Sequence, residues 1–295
     1  MKPAGAEGGP VLTGIGLAAC GYSLFSLQDA IVKWLVADYP VYEILFTRSC
    51  VIVVIALLAG GGGRVLRGLA ASRNKGPLLA RGGLILVAWL LFYSAAARMG
   101  LAEITTLYFA APVIAVALSA LVLKERVGAA RWGAVGTGFL GVAVAAGPLG
   151  AVDGAGALAA LAAAACWGTS TILVRWIGRT DTTLVQMVSS NAIFVLGSLP
   201  PLLWIWRGPD LPSLCLMLGL GLIGGLGQYL LFEGFRYAPA SALAPVEYTG
   251  LVWAGVYGYA IWADIPGPNT LAGAVLIVAG SLGLVWSEKR RAATA

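Results

Sequence analysis

Residues Ile104 to Leu123 form a run of twenty without a single charge. At 1.5 Å per residue such a run makes about 30 Å of helix, the thickness of a bilayer's hydrocarbon core. Lipid offers the backbone no hydrogen-bond partners, so a single apolar stretch of this length has to cross as a helix. Lys124, Glu125 and Arg126 follow as a charged knot, and a second uncharged run, Gly133 to Gly147, returns across the membrane. Laid without a gap over Ile104 to Glu125, the segment Leu243 to Asp264 again ends an apolar run with an acid. After one inserted residue Gly273-Ala274-Val275 falls on Gly133-Ala134-Val135. The chain is written twice.

Ten crossings are expected at 10–37, 41–59, 82–98, 103–123, 129–146, 155–177, 183–204, 213–235, 241–261 and 269–286. A hydrophobic share of 59% and 41 glycines agree with this, since small residues let helices approach closely where no hydrophobic effect drives them together. The four cysteines, Cys20, Cys50, Cys166 and Cys215, sit in or beside apolar runs and read as small packing residues rather than a disulfide. The short tail Met1 to Gly9 has no basic leader and reads as retained. Connections are short except 60–81, whose Arg64, Arg67, Arg73, Lys75 and Arg81 predict a cytoplasmic loop that opens flexibly at Gly60 to Gly63. Sorted by side, fifteen Lys and Arg fall with that loop and two, Arg98 and Arg207, fall opposite. By the positive-inside rule both termini are cytoplasmic. The net charge of +6 therefore points to membrane topology, with no nucleic acid as partner.

The repeat reaches the first helices of each half. Val32-Lys33-Trp34 matches Val174-Arg175-Trp176, and the same offset places Phe25 on Trp167, Gln28 on Ser170 and Arg48 on Ser190. Five crossings per half is an odd number, so the second copy has to insert upside down. The expectation is an all-α polytopic membrane protein of ten transmembrane helices in a 5+5 inverted-topology repeat, residues 1–150 and 151–295, hinged at Gly147 to Gly150. Two similar bundles in opposite orientation can rock about a site between them and open it to each side in turn.

Several chemistries are absent. The chain has no histidine, which removes the commonest metal ligand and the ordinary neutral-pH base. It carries no Gly-x-Ser-x-Gly, no Walker loop and no paired aspartates. No enzyme, no cofactor and no metal is expected, and no obligate protein partner is evident.

What is present is a sparse polar set inside the crossings, where a charge facing lipid is disfavoured by about 2.5–3.5 kcal/mol and so should face the bundle interior. Arg48 lies too deep to reach the interface. It reads as a counter-ion for Glu43 or for a carbonyl, or else as the group that captures a solute carboxylate. Glu43 and Arg48 are five apart and cannot simply pair within one helix. Asp29 and Lys33 are spaced to pair on one face, with Lys33 near an interface. Gln28 and Ser170 suit either an amino acid's polar ends or helix-to-helix bonding; Gln186, Asn191 and Gln228 lean to the latter. Glu233 and Arg236 read as an i, i+3 pair. Glu247 follows Pro245, whose missing N–H frees a carbonyl, so an ammonium or proton site stands against structural pairing there. Trp34, Trp176, Trp204, Trp206, Trp262 and Trp286 lie at helix ends as an interfacial belt. Trp89, Phe92, Tyr93, Tyr108, Trp167, Tyr229, Tyr248 and Trp253 lie within crossings and would either pack or line a pore that tolerates large flat solutes.

Arg48 within the second helix, the helix end Leu123-Lys124-Glu125-Arg126 with its glycine-rich successor, and Ala244-Pro245-Val246-Glu247-Tyr248-Thr249 together resemble the EamA branch of the drug/metabolite transporter superfamily. The Pro-Val-Glu-Tyr-Thr run and Trp253 look most like the YddG-type aromatic amino-acid exporters. Asp264 departs from the pattern, standing where the second copy often has Glu. The resemblance covers nearly the whole chain. It implies a bacterial inner-membrane exporter of amino acids, aromatic and bulky neutral ones favoured, set in the lipid bilayer. A transporter of another metabolite or drug, or a membrane scaffold without flux, are the alternatives.

Overall fold

The computed structural model describes residues 8–111, 114, 129–146, 153–178, 180–237, 246 and 249–294. The expected hinge at 147–150, the charged knot 124–126, and Glu247 and Tyr248 lie outside these. Eleven helices are described: α1 Gly8–Leu35, α2 Val41–Gly60, α3 Gly62–Ala71, α4 Lys75–Ala96, α5 Leu101–Tyr108, α6 Ala129–Ala146, α7 Gly154–Ile177, α8 Thr183–Ile205, α9 Leu211–Tyr237, α10 Thr249–Trp262 and α11 Pro268–Thr294. Among the described residues, five helices are by themselves long and apolar enough to cross a bilayer: Leu12–Leu35, α2, α4, α8 and α9. The helical architecture is the one the sequence predicts.

Segment 60–81 differs from expectation. Gly61 adopts φ 65°, a left-handed conformation that glycine tolerates; it ends α2 and starts α3 at once. The expected flexible loop is thus a tight corner and a short helix with Val65 buried against Ala56, Val185 and Val188. The next helix begins at Lys75, seven residues before the expected edge, and carries Arg81 into the interior.

Helix packing follows an exchange of halves, with α1, α2, α4, α5 and α6 answering to α7, α8, α9, α10 and α11. α1 packs on α9 and α7 on α4; α2 packs on α9 and α8 on α4; α1 packs on α10 and α7 on α5. α2·α8, α5·α10 and α6·α11 pack across the halves on their own counterparts. Small residues make this possible. A Cβ on Gly21 would lie 3.0 Å from the Gly227 carbonyl oxygen, and one on Gly234 lies 3.2 Å from Ala18 N. At the equivalent positions of the other pair stand Ala163, Ala88, Ala95 and Ala160, all buried. Gly82 and Gly221 likewise abut Ile193 and Val51, one contact made twice.

Connections gather at two ends of the bundle. At one, Lys33 Nζ meets Asp264 Oδ2 at 2.7 Å, Arg207 Nη1 donates to Asp38 O at 2.7 Å, and Arg98 lies 3.8 Å from Asp153. There Asp210 accepts from Ser213 N and Tyr39 Oη, and hydrogen bonds from Ser213 first and Tyr39 second hold its carboxyl below the usual carboxylate range. At the other end, Asn74 Nδ2 donates to Thr180 Oγ1 at 2.7 Å and Asp181 Oδ2 at 2.6 Å, while Glu233 accepts from Thr183 and Arg236. This alternation is what ten crossings require.

Candidate functional site

Between α1, α4, α5, α7 and α10 runs a cleft with about 630 Å³ of empty space, its open mouth included. It extends from the middle of the bundle towards the Lys33 end. Tyr22, Phe25, Ser26 and Asp29 come from α1, spaced so that one helical face supplies them all. α4 gives Trp89 and Phe92, α5 gives Leu101, Thr105 and Tyr108, and α7 gives Trp167. Phe109 adjoins Tyr108, and Gly250 and Ala254 of α10 close the far side.

Four rings form its apolar wall in edge-on and tilted contact. Trp89 meets Trp167 at 6.4 Å and 78°, Phe92 meets Tyr108 at 5.1 Å and 69°, and Tyr108 meets Trp167 at 6.2 Å. Such a wall presents ring faces and edges to a flat solute. Asp29 is the one carboxylate on the described lining, and its Oδ1 is buried with no hydrogen-bond partner among the described residues.

Behind Trp89 lies a buried polar cluster. Arg48 is 2% exposed; its Nε donates to Gln28 Oε1 at 3.0 Å and its guanidinium stacks 5.0 Å from the Trp89 ring centroid. Asp29 is within its coulombic reach. Gly224 of α9 leaves the room, since a Cβ there would collide with Gln28 and lie 3.0 Å from Arg48 Nε. Arg48 Nη1 and Tyr93 Oη are buried with no hydrogen-bond partner among the described residues. Unmet donors beside an unmet carboxylate oxygen mark a place for water or a polar solute, because leaving each unbonded costs about 1–3 kcal/mol.

Some expected site residues stand elsewhere. Lys33 does not pair with Asp29 but with Asp264, over the Trp262 ring at 4.6 Å, because α10 brings its end beside α1. That gives the departing acid Asp264 a partner, while Asp29 lines the cleft. Glu43 is not the counter-ion of Arg48; it is fully buried and accepts from the Arg207 backbone N–H at 3.0 Å. Tyr93 is buried behind Trp89. Ser170 Oγ donates to the Trp167 carbonyl in its own helix, and Gln228 accepts from Asn191 across α8 and α9 at 3.1 Å. Trp253 Nε1 donates to Ser23 Oγ at 3.1 Å, its ring stacked on Tyr257 outside the lining. Glu233 and Arg236 pair at 3.0 Å, far from the cleft.

Sequence reasoning passed over Tyr22, Ser26 and Thr105 as lining. The first two are legible in hindsight as the i−7 and i−3 neighbours of Asp29. Gly250 and Ala254 carry no chemical signal.

The sequence of the EamA-like transporter family matches twice, over residues 12–147 and 154–286. The chain is 27% identical over 285 residues to the pseudopaline exporter CntI of Pseudomonas aeruginosa, covering 94% of this chain and 97% of that one. It is 26% identical over 287 residues to an S-adenosylmethionine uptake transporter of Rickettsia conorii, covering 95% and 94% of the two chains. Over 210 residues it is 26% identical to a riboflavin transporter of Vibrio cholerae, covering 70% and 69%. A solved crystal structure shares the fold, with TM-score 0.66 at 20% identity over 93% of this chain and 96% of that one. These relatives are named as an exporter and as transporters of small molecules. A cleft walled by aromatic rings in a twice-written helical bundle, matched along both halves, is thus the interior of a membrane transporter, and the chain belongs to the EamA-like transporter family.

Proposed function

We propose that the protein is a bacterial inner-membrane secondary transporter that exports amino acids, favouring those with flat or bulky neutral side chains. Its two halves, residues 1–150 and 151–295, insert in opposite orientation with both termini cytoplasmic, and alternate access to a site between them. The observation that carries the substrate class is the Asp29 carboxylate in an aromatic-walled cleft, with Oδ1 unbonded among the described residues and Arg48 behind it. An ammonium suits Asp29, a ring suits the Trp89, Tyr108 and Trp167 wall, and the unmet Arg48 Nη1 suits a carboxylate. Sites that need a negative group and a positive group this close favour zwitterions over plain anions.

A second reading is transport of a larger heteroaromatic metabolite. The same ring wall favours it, and so do relatives named for S-adenosylmethionine and riboflavin, both of which carry fused nitrogen heterocycles. Counterflow in proteoliposomes with tryptophan, phenylalanine, methionine, S-adenosylmethionine and riboflavin, with and without a pH gradient, separates the two. Exchange of tryptophan and phenylalanine is expected. Flux confined to the heterocycles would replace the amino-acid reading with the second, and no flux of any member would remove both.

A further inference from the structure

The cleft does not use the second buried arginine. Arg81 is 1% exposed and sits eight residues before Trp89 on α4, about 12 Å nearer the Asn74 end. Its Nη1 donates to Ser190 Oγ at 2.9 Å and its guanidinium lies 5.0 Å from the Phe232 ring centroid. Nε is buried and has no partner among the described residues. Among those residues no carboxylate comes within 4.0 Å of either buried arginine, but Asp29 lies within coulombic reach of Arg48. A guanidinium keeps its charge at any physiological pH, so burying it without a counter-charge is unfavourable unless an anion occupies the site for part of the protein's cycle.

The surroundings select the anion. Ser190 and Gln186 lie one turn apart on the same face of α8, both buried, and Phe232 covers one face of the guanidinium. One edge of the planar fork is therefore tied to a hydroxyl while Nε is left unbonded among the described residues. A planar guanidinium with an unsatisfied donor matches a carboxylate in side-on, two-point fashion better than it matches a sphere such as chloride. The position is also shared by both halves: Ser190 is the repeat counterpart of Arg48. Each interface between an α2-type and an α4-type helix thus holds one buried arginine, on α2 in the first and on α4 in the second.

We infer that Arg81, steadied by Ser190 and Phe232, is a second carboxylate-binding station, which holds the acid group of the solute at the Asn74 end of its route while Asp29 and Arg48 serve the cleft. The identity of the solute rests on the amino-acid reading; the carboxylate chemistry does not.

Phenylglyoxal labelling of the wild-type protein in proteoliposomes, read at Arg81 by peptide mass, tests it without a mutant that has to fold. Arg81 is expected to label slowly, with at least a threefold drop under saturating benzoate and no drop under benzamide. Equal labelling with and without benzoate, equal protection by benzamide, or no labelling under any condition would overturn the station, the last because a permanently sealed arginine is structural. In parallel, Arg81→Gln is expected to raise the KM for tryptophan at least tenfold and leave that for tryptamine unchanged, with Arg81→Lys between. Equal changes for both solutes would also overturn it. If benzoate protects Arg81 but tryptophan gives no flux, the station stands and the amino-acid reading falls.

Discussion

α4 and α9 are the same helix of the repeat, and they have been put to opposite uses. Both lie against a first-type helix over a seam of small residues, Ala88 and Ala95 on α4, Gly227 and Gly234 on α9. Beside that seam, α4 presents Trp89, Phe92 and Tyr93 where α9 has Gln228, Leu231 and Phe232. The α9 side closes backbone to backbone on α1; the α4 side leaves a seam wide enough for rings and so makes a wall. A symmetric frame acquires a one-sided site by changing ring size at equivalent positions. No new element is needed.

The comparison breaks most severely at the α1·α9 seam. Gly227→Leu sets side-chain atoms against the Gly21 carbonyl and the Leu24 side chain, whose Cβ would lie 3.2 Å from the first added carbon. Neither backbone can yield without moving a helix, so a loss of about 3 kcal/mol or more is expected, read as a fall in the melting temperature of detergent-purified protein. A melting temperature within a degree or two of wild type would show that the two helices separate readily.

On the α4 side the loss should be of transport. Trp167→Ala removes a ring from the wall, and we expect flux to fall roughly tenfold, about 1.4 kcal/mol, with the fold intact. Trp89→Ala should do as much and also uncover Arg48. Wild-type counterflow in both would mean that solute does not pass this wall. Asp29→Asn comes next: a roughly tenfold rise in KM is expected for ammonium-bearing solutes, with little change for a neutral ring compound, since only the charge-assisted bond is lost. An equal change for both solutes would reduce Asp29 to a packing role.

The smallest effect falls at the counterpart of Trp89. Gln228→Leu leaves the Asn191 amide with one fewer acceptor, for about 1 kcal/mol of stability, and should leave flux unaltered. Impaired transport in a stable Gln228→Leu protein would show that the α9 side also contacts solute and that the one-sided picture is wrong.

Much of this was legible in residues alone. Charge-free runs, the recurrence of Gly-Ala-Val and Lys/Arg-Trp pairs, and the distribution of lysine and arginine predict the bundle and its duplication, because lipid permits a single backbone solution for such runs. The aromatics and Asp29 could be nominated, since polar and ring-bearing residues inside apolar helices are rare. What could not be read was which of them meet. Spacing within α1 suggested Asp29 with Lys33, yet Asp264, 231 residues from Lys33, takes that lysine. Arg81 looked like one of five basic residues in a loop until a corner at Gly61 started α3 and let the next helix begin early.

Sequence by itself determined that the chain is a duplicated membrane helix bundle with a few interior charges, because burial in lipid is a local property of each segment. Only the tertiary structure decided that Asp29 and not Lys33 faces the cleft, that Gln28 bonds Arg48, and that a second arginine lies buried with no carboxylate beside it among the described residues. Those outcomes depend on which helices approach closely enough to exchange partners, and that is set by glycine and alanine seams between segments far apart in the chain.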